Sequence, residues 1–163
     1  MDAIFHRVSI RKFQDIAVEP DKITRILKAG MAAPSARNQQ PWEFYVVTDK
    51  ATIEKLSHFS PYAGYITAAP VVIVVAYRTE LKSPRFALLD CSAAIQNIWL
   101  ETDSLSLGGV WIGIAPVEER MKAVEEALNM PKTMHAFALF PLGYPAETRQ
   151  QEDRWDPSRV HYV

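Results

Sequence analysis

The chain has 163 residues, of which 48% are hydrophobic and 23% charged, and its formal net charge is −1. These values fit one globular domain with a substantial core, and they exclude a bulk positive field for nucleic acid or an anionic membrane. No apolar run approaches the roughly 20 residues of a membrane-spanning helix, and a single cysteine forms no internal disulfide, so a reducing cytoplasmic compartment is expected.

Three helices are predicted in the first half of the chain. Asp2 can cap a short one, and Pro20 suits the first turn of a second, which Pro34 stops. Asp49 can cap a third. The apolar residues that these helices carry are Ile4, Phe5 and Val8, then Ile23, Ile26, Leu27 and Met31 in the spacing of a buried stripe, then Ile53 and Leu56 facing inward.

Residues 44–47 and 71–75 are predicted strands. The second has no polar alternation, which is typical of a central strand covered on both faces. Residues 85–107 carry the longest helical pattern, and Gly108 with Gly109 is expected to end it. Its apolar residues lie around nearly the whole circumference, which indicates burial against a large core or, in so short a chain, a partner subunit. They are Leu88, Leu89, Cys91, Ile95, Ile98, Trp99 and Leu100.

A strand at 110–112, a helix near 117–128 and a strand at 137–142 follow, with Met121, Val124 and Leu128 facing inward on the helix. Alternating helices and strands indicate a layered α/β or α+β domain over residues 1–163. Residues 145–158 are polar, and Trp155 is the only large apolar side chain among them. Such a tail needs a surface to lie on, which a second subunit would provide.

Arg7, Ser9 and Arg11 occupy alternate positions. In an extended segment their side chains point the same way, so they could converge on one anion, for which arginine supplies two parallel donors. A solvated edge of the chain is the alternative. Arg154 could add a third cation if the fold brings it beside such a pocket, and is otherwise a solvated charge.

The turn between Pro34 and Pro41 concentrates donors and acceptors. Ser35, Asn38, Gln39 and Gln40 could read the edge of a planar heterocycle, although a turn whose amides satisfy its own backbone is the alternative.

Glycines around Trp111 would allow a ligand to approach the backbone closely, next to a flat aromatic surface. The segment is not a dinucleotide fingerprint, since the G-x-G-x-x-G spacing and a preceding strand are missing. The four histidines lack metal-ligand spacing, and Cys91 fits a core position better than a nucleophile. Since no side chain is an obvious catalyst, an enzyme with this sequence would depend on a cofactor.

Four blocks in order resemble the nitroreductase family of FMN-dependent oxidoreductases over nearly the entire chain. They are R-V-S-I-R-K-F at 7–13, with Val8 in place of a second arginine, A-P-S-A-R-N-Q-Q-P-W-E-F at 33–44, G-V-W-I-G at 109–113 and L-G-Y-P at 142–145. D-R at 153–154 and R-V-H-Y at 159–162 fit a small-sized branch. The lysine that many members carry near the flavin is absent from residues 62–69.

The resemblance implies an α+β homodimer in which a central sheet is flanked by helices and tails of about 145–163 embrace the partner. It also implies FMN sites built from both subunits. Arg7, Ser9 and Arg154 would hold the phosphate, helped by the backbone N–H of Val8, and Arg11 would lie at the N1/O2 edge as the residue that assists catalysis. The other subunit would add Pro34, Ser35, Ala36, Asn38 and Gln40, while Gly109, Val110 and Trp111 would line the face near N5.

The activity implied is a ping-pong transfer of two electrons from NAD(P)H through FMN N5 to a nitroaromatic, a quinone or a similar small-molecule acceptor. Two alternatives stay open at this point. One is other flavin chemistry, such as reductive dehalogenation or flavin breakdown, whose enzymes usually carry an active-site lid that this chain has little room for. The other is a non-catalytic flavin store or sensor.

Overall fold

The computed structural model describes residues 2–163. Its helices are α1 (Ala3–His6), α2 (Pro20–Met31), α3 (Lys50–Ser57), α4 (Ala87–Ser104) and α5 (Glu118–Ala127), and its strands are β1 (Trp42–Val47), β2 (Val71–Arg78), β3 (Gly108–Gly109), β4 (Ile112–Gly113) and β5 (Met134–Gly143). The strands form one antiparallel sheet in the order β1-β2-β5-β3, and β4 also pairs with β5. Short 3-10 turns cover Ala36–Asn38, Gly64–Ala68, Pro84–Phe86 and Pro157–Arg159.

Strand β2 has a separate apolar core on each of its faces. Ile73 belongs to the core that contains residues of α2 and α4, and its neighbours Val72 and Val74 belong to the core that contains residues of α3 and α5. Successive side chains of a strand point to opposite faces, so a strand between two cores must be apolar throughout. The predictions of a doubly covered central strand and of an α+β layered fold are confirmed.

Helices α1 and α2 depart from the predicted pattern at one residue each. Asp2 caps α1 as expected, but α1 ends at His6, so Val8 lies outside it. Met31 is 55% exposed, so its place in the buried stripe of α2 was wrong. Since each residue advances about 100° around a helix, Met31 lies about 80° from Ile23 and outside the buried stripe. Gly30 lies within the stripe and is buried. A Cβ at Gly30 would lie 2.9 Å from Cγ1 of Ile98 on α4.

Helix α4 ends earlier than predicted, and not at the two glycines. Its last residue is Ser104, and Ser106 adopts a left-handed conformation with φ 60° after it. Gly108 and Gly109 form β3 instead and pair with the end of β5. A Cβ at Gly109 would lie 2.6 Å from Cζ of Phe140, so this position needs glycine because the strand and the ring pack closely.

The second half otherwise follows the sequence patterns, with differences in extent. Val124 on α5 is fully buried and Met121 packs beside the same core, as predicted. The strand predicted at 110–112 was wrong for Val110 and Trp111, which lie between β3 and β4, and only Ile112 belongs to a strand. Burial and the neighbouring Asp90 raise the pKa of the Cys91 thiol to about 12, which agrees with a core cysteine.

The left-handed Ser106 provides a test of how α4 ends. Ser106→Gly should raise the free energy of unfolding by about 0.5–1 kcal/mol, because glycine removes the steric penalty at positive φ and the serine side chain is exposed. Ser104→Gly is the matched control, two residues earlier but within the helix, and should lower the free energy by about 0.5 kcal/mol. Urea unfolding measures both, and the same sign for the two variants would contradict this description.

Candidate functional site

The segment after α1 runs beside the sheet as an extended strand-like stretch. Ile10 N donates a hydrogen bond to Gly109 O at 3.0 Å, and Ser9 forms an isolated parallel β-bridge with Gly109. Ile10 is buried in the core, so the residues on either side of it point the other way. Arg7, Ser9 and Arg11 accordingly line one cavity of about 430 Å³, as convergence on one anion would require.

The polar tail completes this cavity, which we call the arginine cavity. Arg149, Gln150, Gln151, Glu152 and Arg154 line it together with Trp99 and Val8. Arg154 therefore does join Arg7 and Arg11, as its predicted role requires.

Two tail residues anchor this arrangement to the N-terminal segment of the same chain. Glu147 accepts hydrogen bonds from the backbone N–H groups of Arg11 and Lys12, at 2.7 and 3.2 Å. Gln151 Nε2 donates to the carbonyls of Arg7 at 2.9 Å and Ile4 at 3.1 Å. Nothing in the sequence pattern singled out either residue. The beginning of the tail thus lies on its own chain, while Trp155 further on is 72% exposed.

The arginine cavity holds more positive charge than its own carboxylates balance. Four guanidinium groups line it against one carboxylate, Glu152. Arg149 pairs with Glu147 at 3.2 Å, but within residues 2–163 no ion pair is formed by Arg7, Arg11 or Arg154. Burial lowers the pKa of Arg7. The positive charge of Arg154 lowers this pKa further, and the negative charge of Asp103 partly opposes both effects. Such a site favours an anion with several acceptor oxygens.

The polar turn at 34–41 is built on partners that the sequence analysis missed. The buried carboxylate of Asp90 accepts from Ala36 N at 2.8 Å and from Gln39 Nε2 at 2.6 Å. Arg78 donates to the carbonyls of Gln39 and Gln40. Arg37, Asn38 and Gln40 all have positive φ, between 45° and 52°. Side chains of the core fold thus stabilise a strained backbone, which is more common at binding sites than in simple connectors.

Structural and recognition roles are divided among the side chains of this turn. Ser35 Oγ accepts a hydrogen bond from Gln40 N at 2.9 Å, and Gln39 Nε2 donates one to Asp90. The side chains of Ser35 and Gln39 therefore stabilise the turn itself. Asn38 and Gln40 are exposed, and their amides contact each other at 3.1 Å. These two amide side chains therefore remain accessible to a ligand.

A single chain does not bring the polar turn to the arginine cavity. The turn contacts Asp90 near the start of α4, whereas the cavity borders Trp99 nine residues later, about 13 Å along the helix axis. None of residues 34–41 lines the cavity.

The segment at 109–111 lies next to the Arg7–Arg11 strand through the Ser9–Gly109 bridge, but it does not line the cavity either. Val110 is 2% exposed, and the Trp111 ring packs against Phe137 with 5.8 Å between centroids.

A metal-binding cluster and a membrane-spanning helix are both absent from the part of the chain that the structure describes. No group of three or more metal-ligating residues is assembled in residues 2–163. No helix there combines the length and apolar character that crossing a bilayer requires.

Comparison with known proteins gives consistent matches along the chain. The family model described as the nitroreductase family matches residues 4–60 and 61–144. A protein of Methanothermobacter thermautotrophicus, provisionally named NADH dehydrogenase/NAD(P)H nitroreductase, is 42% identical over 162 residues, which are 99% of this chain and 85% of that protein.

Solved structures agree with the sequence matches. A provisionally named NADH oxidase of Clostridium acetobutylicum superposes with a TM-score of 0.95 at 42% identity, covering 98% of both chains. A provisionally named nitroreductase of Desulfovibrio desulfuricans, solved in complex with FMN, gives a TM-score of 0.87 at 29% identity, covering 99% of this chain and 94% of that one.

The carboxylate that anchors the tail makes the site sensitive to acid. Hydrogen bonds from the Arg11 backbone and from Arg149 keep the pKa of Glu147 below its ordinary value of 4.5. Its contribution to stability is therefore complete above pH 4.5 and is lost as the pH falls through the lowered folded pKa. Glu147→Ala should lower the free energy of unfolding by about 1 kcal/mol at pH 7, and by less as the pH falls below 4.

Glu147→Gln is the matched control, since its neutral oxygen still accepts a backbone hydrogen bond but does not titrate. In acid the difference from wild type should vanish for the glutamine variant, because protonated Glu147 is then a neutral acceptor as well. The alanine variant should keep a smaller loss in acid, and at pH 7 only the glutamine variant should keep part of the stability. Urea titrations at pH 7, 5 and 3.5 measure this. A pH-independent loss for Glu147→Ala would show that the carboxylate charge has no part in anchoring the tail.

Proposed function

Since the chain belongs to the nitroreductase family, we propose that it is an FMN-dependent oxidoreductase that uses NAD(P)H as electron donor. The observation that carries the proposal is the excess positive charge of the arginine cavity. A monophosphate is a dianion with acceptor oxygens for several guanidinium groups, so it supplies the charge that the cavity lacks.

Phosphate binding falls to the side chains that converge on this cavity. Arg7 and Arg154 present donors that no carboxylate of residues 2–163 occupies, and the Ser9 hydroxyl lies between the two arginines of its segment. The Val8 backbone N–H is a further donor. Burial and, after it, the charge of Arg154 lower the pKa of Arg7, and an anion bound between the two arginines would relieve their repulsion.

Arg11 is the residue proposed to assist catalysis. Bound FMN would supply two-electron chemistry at N5, in a ping-pong sequence from a nicotinamide to a nitroaromatic, a quinone or a similar electron-poor acceptor. Arg11 would supply a fixed positive charge at the N1/O2 edge of the ring, and a charge-assisted hydrogen bond contributes about 1.5–3 kcal/mol. Its backbone is fixed by Glu147, and its Cζ lies 5.9 Å from the Tyr65 ring centroid.

A second copy of the chain is needed to complete the proposed site. The turn residues Pro34, Ser35, Ala36, Asn38 and Gln40 do not reach the arginine cavity of their own chain. We place them against the flavin of a partner subunit, with Gly109, Val110 and Trp111 on the near side. Large apolar side chains left exposed in a single chain support a homodimer. They include Leu89 on α4 at 64%, Trp155 at 72% and Tyr162 at 94%.

The cofactor and its chemistry can be tested on the purified protein. It should bind about one FMN per chain, lose its yellow colour with NADH or NADPH, and regain it with a nitroarene or quinone. Riboflavin, which has the same ring without the phosphate, should bind at least about a hundredfold more weakly, because it cannot neutralise the arginines. Equal affinity for the two flavins would contradict the role of the cavity. A yellow protein inert to both donors would indicate a flavin store or sensor.

The contribution of Arg11 can be measured apart from cofactor binding. Arg11→Ala should slow flavin reduction in stopped-flow measurements by about tenfold, the loss of about 1.4 kcal/mol of stabilisation, and should also weaken FMN binding. Arg25→Ala is the control, because that arginine is exposed and paired with Glu101 away from the cavity. If Arg11→Ala, fully loaded with flavin, is reduced at the wild-type rate, Arg11 does not have this role.

A further inference from the structure

Trp99 on α4 contacts Arg7 with the face of its ring. The Arg7 Cζ atom lies 3.9 Å from the Trp99 ring centroid, and both residues line the arginine cavity. The ring quadrupole attracts a guanidinium over its face, most strongly where both groups are removed from water. Because no carboxylate of residues 2–163 pairs with Arg7, this aromatic face is the contact that orients it.

The position of the Trp99 ring is not set by its own hydrogen-bond donor. Its Nε1 is buried and has no hydrogen-bond partner among the described residues. Buried donors normally find acceptors, so an exception calls for an explanation. The contacts that fix the ring are Arg7 on its face and Phe140 in an edge-on arrangement, with 5.9 Å between ring centroids. The indole is therefore held where its face, and not its N–H, is used.

Phe140 connects this contact to the segment that carries Arg7. The ring occupies the space that a side chain at Gly109 would need. Gly109 in turn accepts the hydrogen bond from Ile10 N, three residues after Arg7. Trp99 and Phe140 thus pack continuously against the strand from which the arginines project, so the ring and the cation are fixed by the same small group of contacts.

We propose that Trp99 is a positioning residue of the anion site and acts through Arg7. A carboxylate in its place would orient the guanidinium equally well but would neutralise it and compete for its donors. An aromatic face orients the cation and leaves both its charge and its donors for the phosphate. The inference rests on the proposed FMN function for the identity of the ligand, but not for the anion site itself.

A double-mutant cycle on FMN affinity tests this. Trp99→Leu should weaken FMN binding, measured by quenching of flavin fluorescence, by about fivefold. Trp99→Phe keeps an aromatic face and should stay within about twofold of wild type. In an Arg7→Ala background, Trp99→Leu should change the affinity by less than about twofold. An equal loss in both backgrounds, or a loss with Trp99→Phe as large as with Trp99→Leu, would overturn the proposal.

Inorganic phosphate separates this proposal from that of FMN function. Its binding to flavin-free protein, followed by phosphorus NMR, should weaken by a similar factor in Trp99→Leu and hardly in Trp99→Phe. If wild type binds phosphate with this dependence but takes up no FMN, the function is wrong and the role of Trp99 stands. If wild type binds FMN but Trp99→Leu binds FMN and phosphate as wild type does, the role of Trp99 is wrong and the function stands. Binding of neither ligand overturns both.

Stability and a second cation–aromatic pair provide the controls. Urea unfolding identifies variants that are merely destabilised, and Trp99→Met, with an unbranched apolar side chain, replaces Trp99→Leu if the latter does not fold. The Lys22 Nζ lies 4.9 Å from the Tyr144 ring centroid, outside the arginine cavity. Tyr144→Leu removes that pair and should leave the affinities for FMN and phosphate unchanged. A fivefold loss in this control would assign the Trp99 effect to general loosening of the fold.

Discussion

The candidate site depends on an electrostatic imbalance that the fold maintains. Arg7, Arg11 and Arg154 are held near one another without carboxylate partners among residues 2–163, although burial and repulsion by Arg154 both lower the pKa of Arg7. Left to themselves, long cationic side chains would separate into water. Here the backbone from which they project is fixed, by the Ser9–Gly109 bridge on one side and by Glu147 and Gln151 on the other. Backbone hydrogen bonds therefore keep the cations together, and their own charge remains available for a ligand.

Helix α4 relates the two polar regions of the molecule. Near its start, Asp90 is buried and stabilises the turn at 34–41, and in its second half Trp99 borders the arginine cavity. The helix thus holds both halves of the proposed flavin site at a fixed separation, too far apart to meet within one chain. A second copy related by two-fold symmetry would place each turn against the opposite cavity, and would also cover exposed apolar residues such as Leu89. Completion of the site and burial of this surface would then be one event.

The fold was largely predictable because its signals are local. Apolar periodicity and capping residues located the five helices and the main strands, and the unbroken apolar run of β2 identified a strand with a core on each face. The errors arise where tertiary packing decides. Gly30 replaces Met31 in the buried stripe because α2 crosses α4 there. Gly108–Gly109 pairs with β5, and both positions need glycine because Ile10 and Phe140 leave no room for side chains. A glycine that ends a helix and one that admits a neighbouring ring look the same in a sequence.

In the candidate site, too, the residues with a local sequence signal could be predicted and those that depend on tertiary contacts could not. Arg7, Ser9 and Arg11 could be grouped from their alternate spacing, because an extended segment fixes the direction of each side chain. Trp99, Glu147 and Gln151 could not, since each acts on a segment at least 92 positions away, and Trp99 looked like any other apolar residue of a buried helix. Residues that bind a ligand directly are constrained in type and spacing, so they leave a pattern. Residues that hold those side chains in place need only reach them in the folded chain, and many side chains can do so.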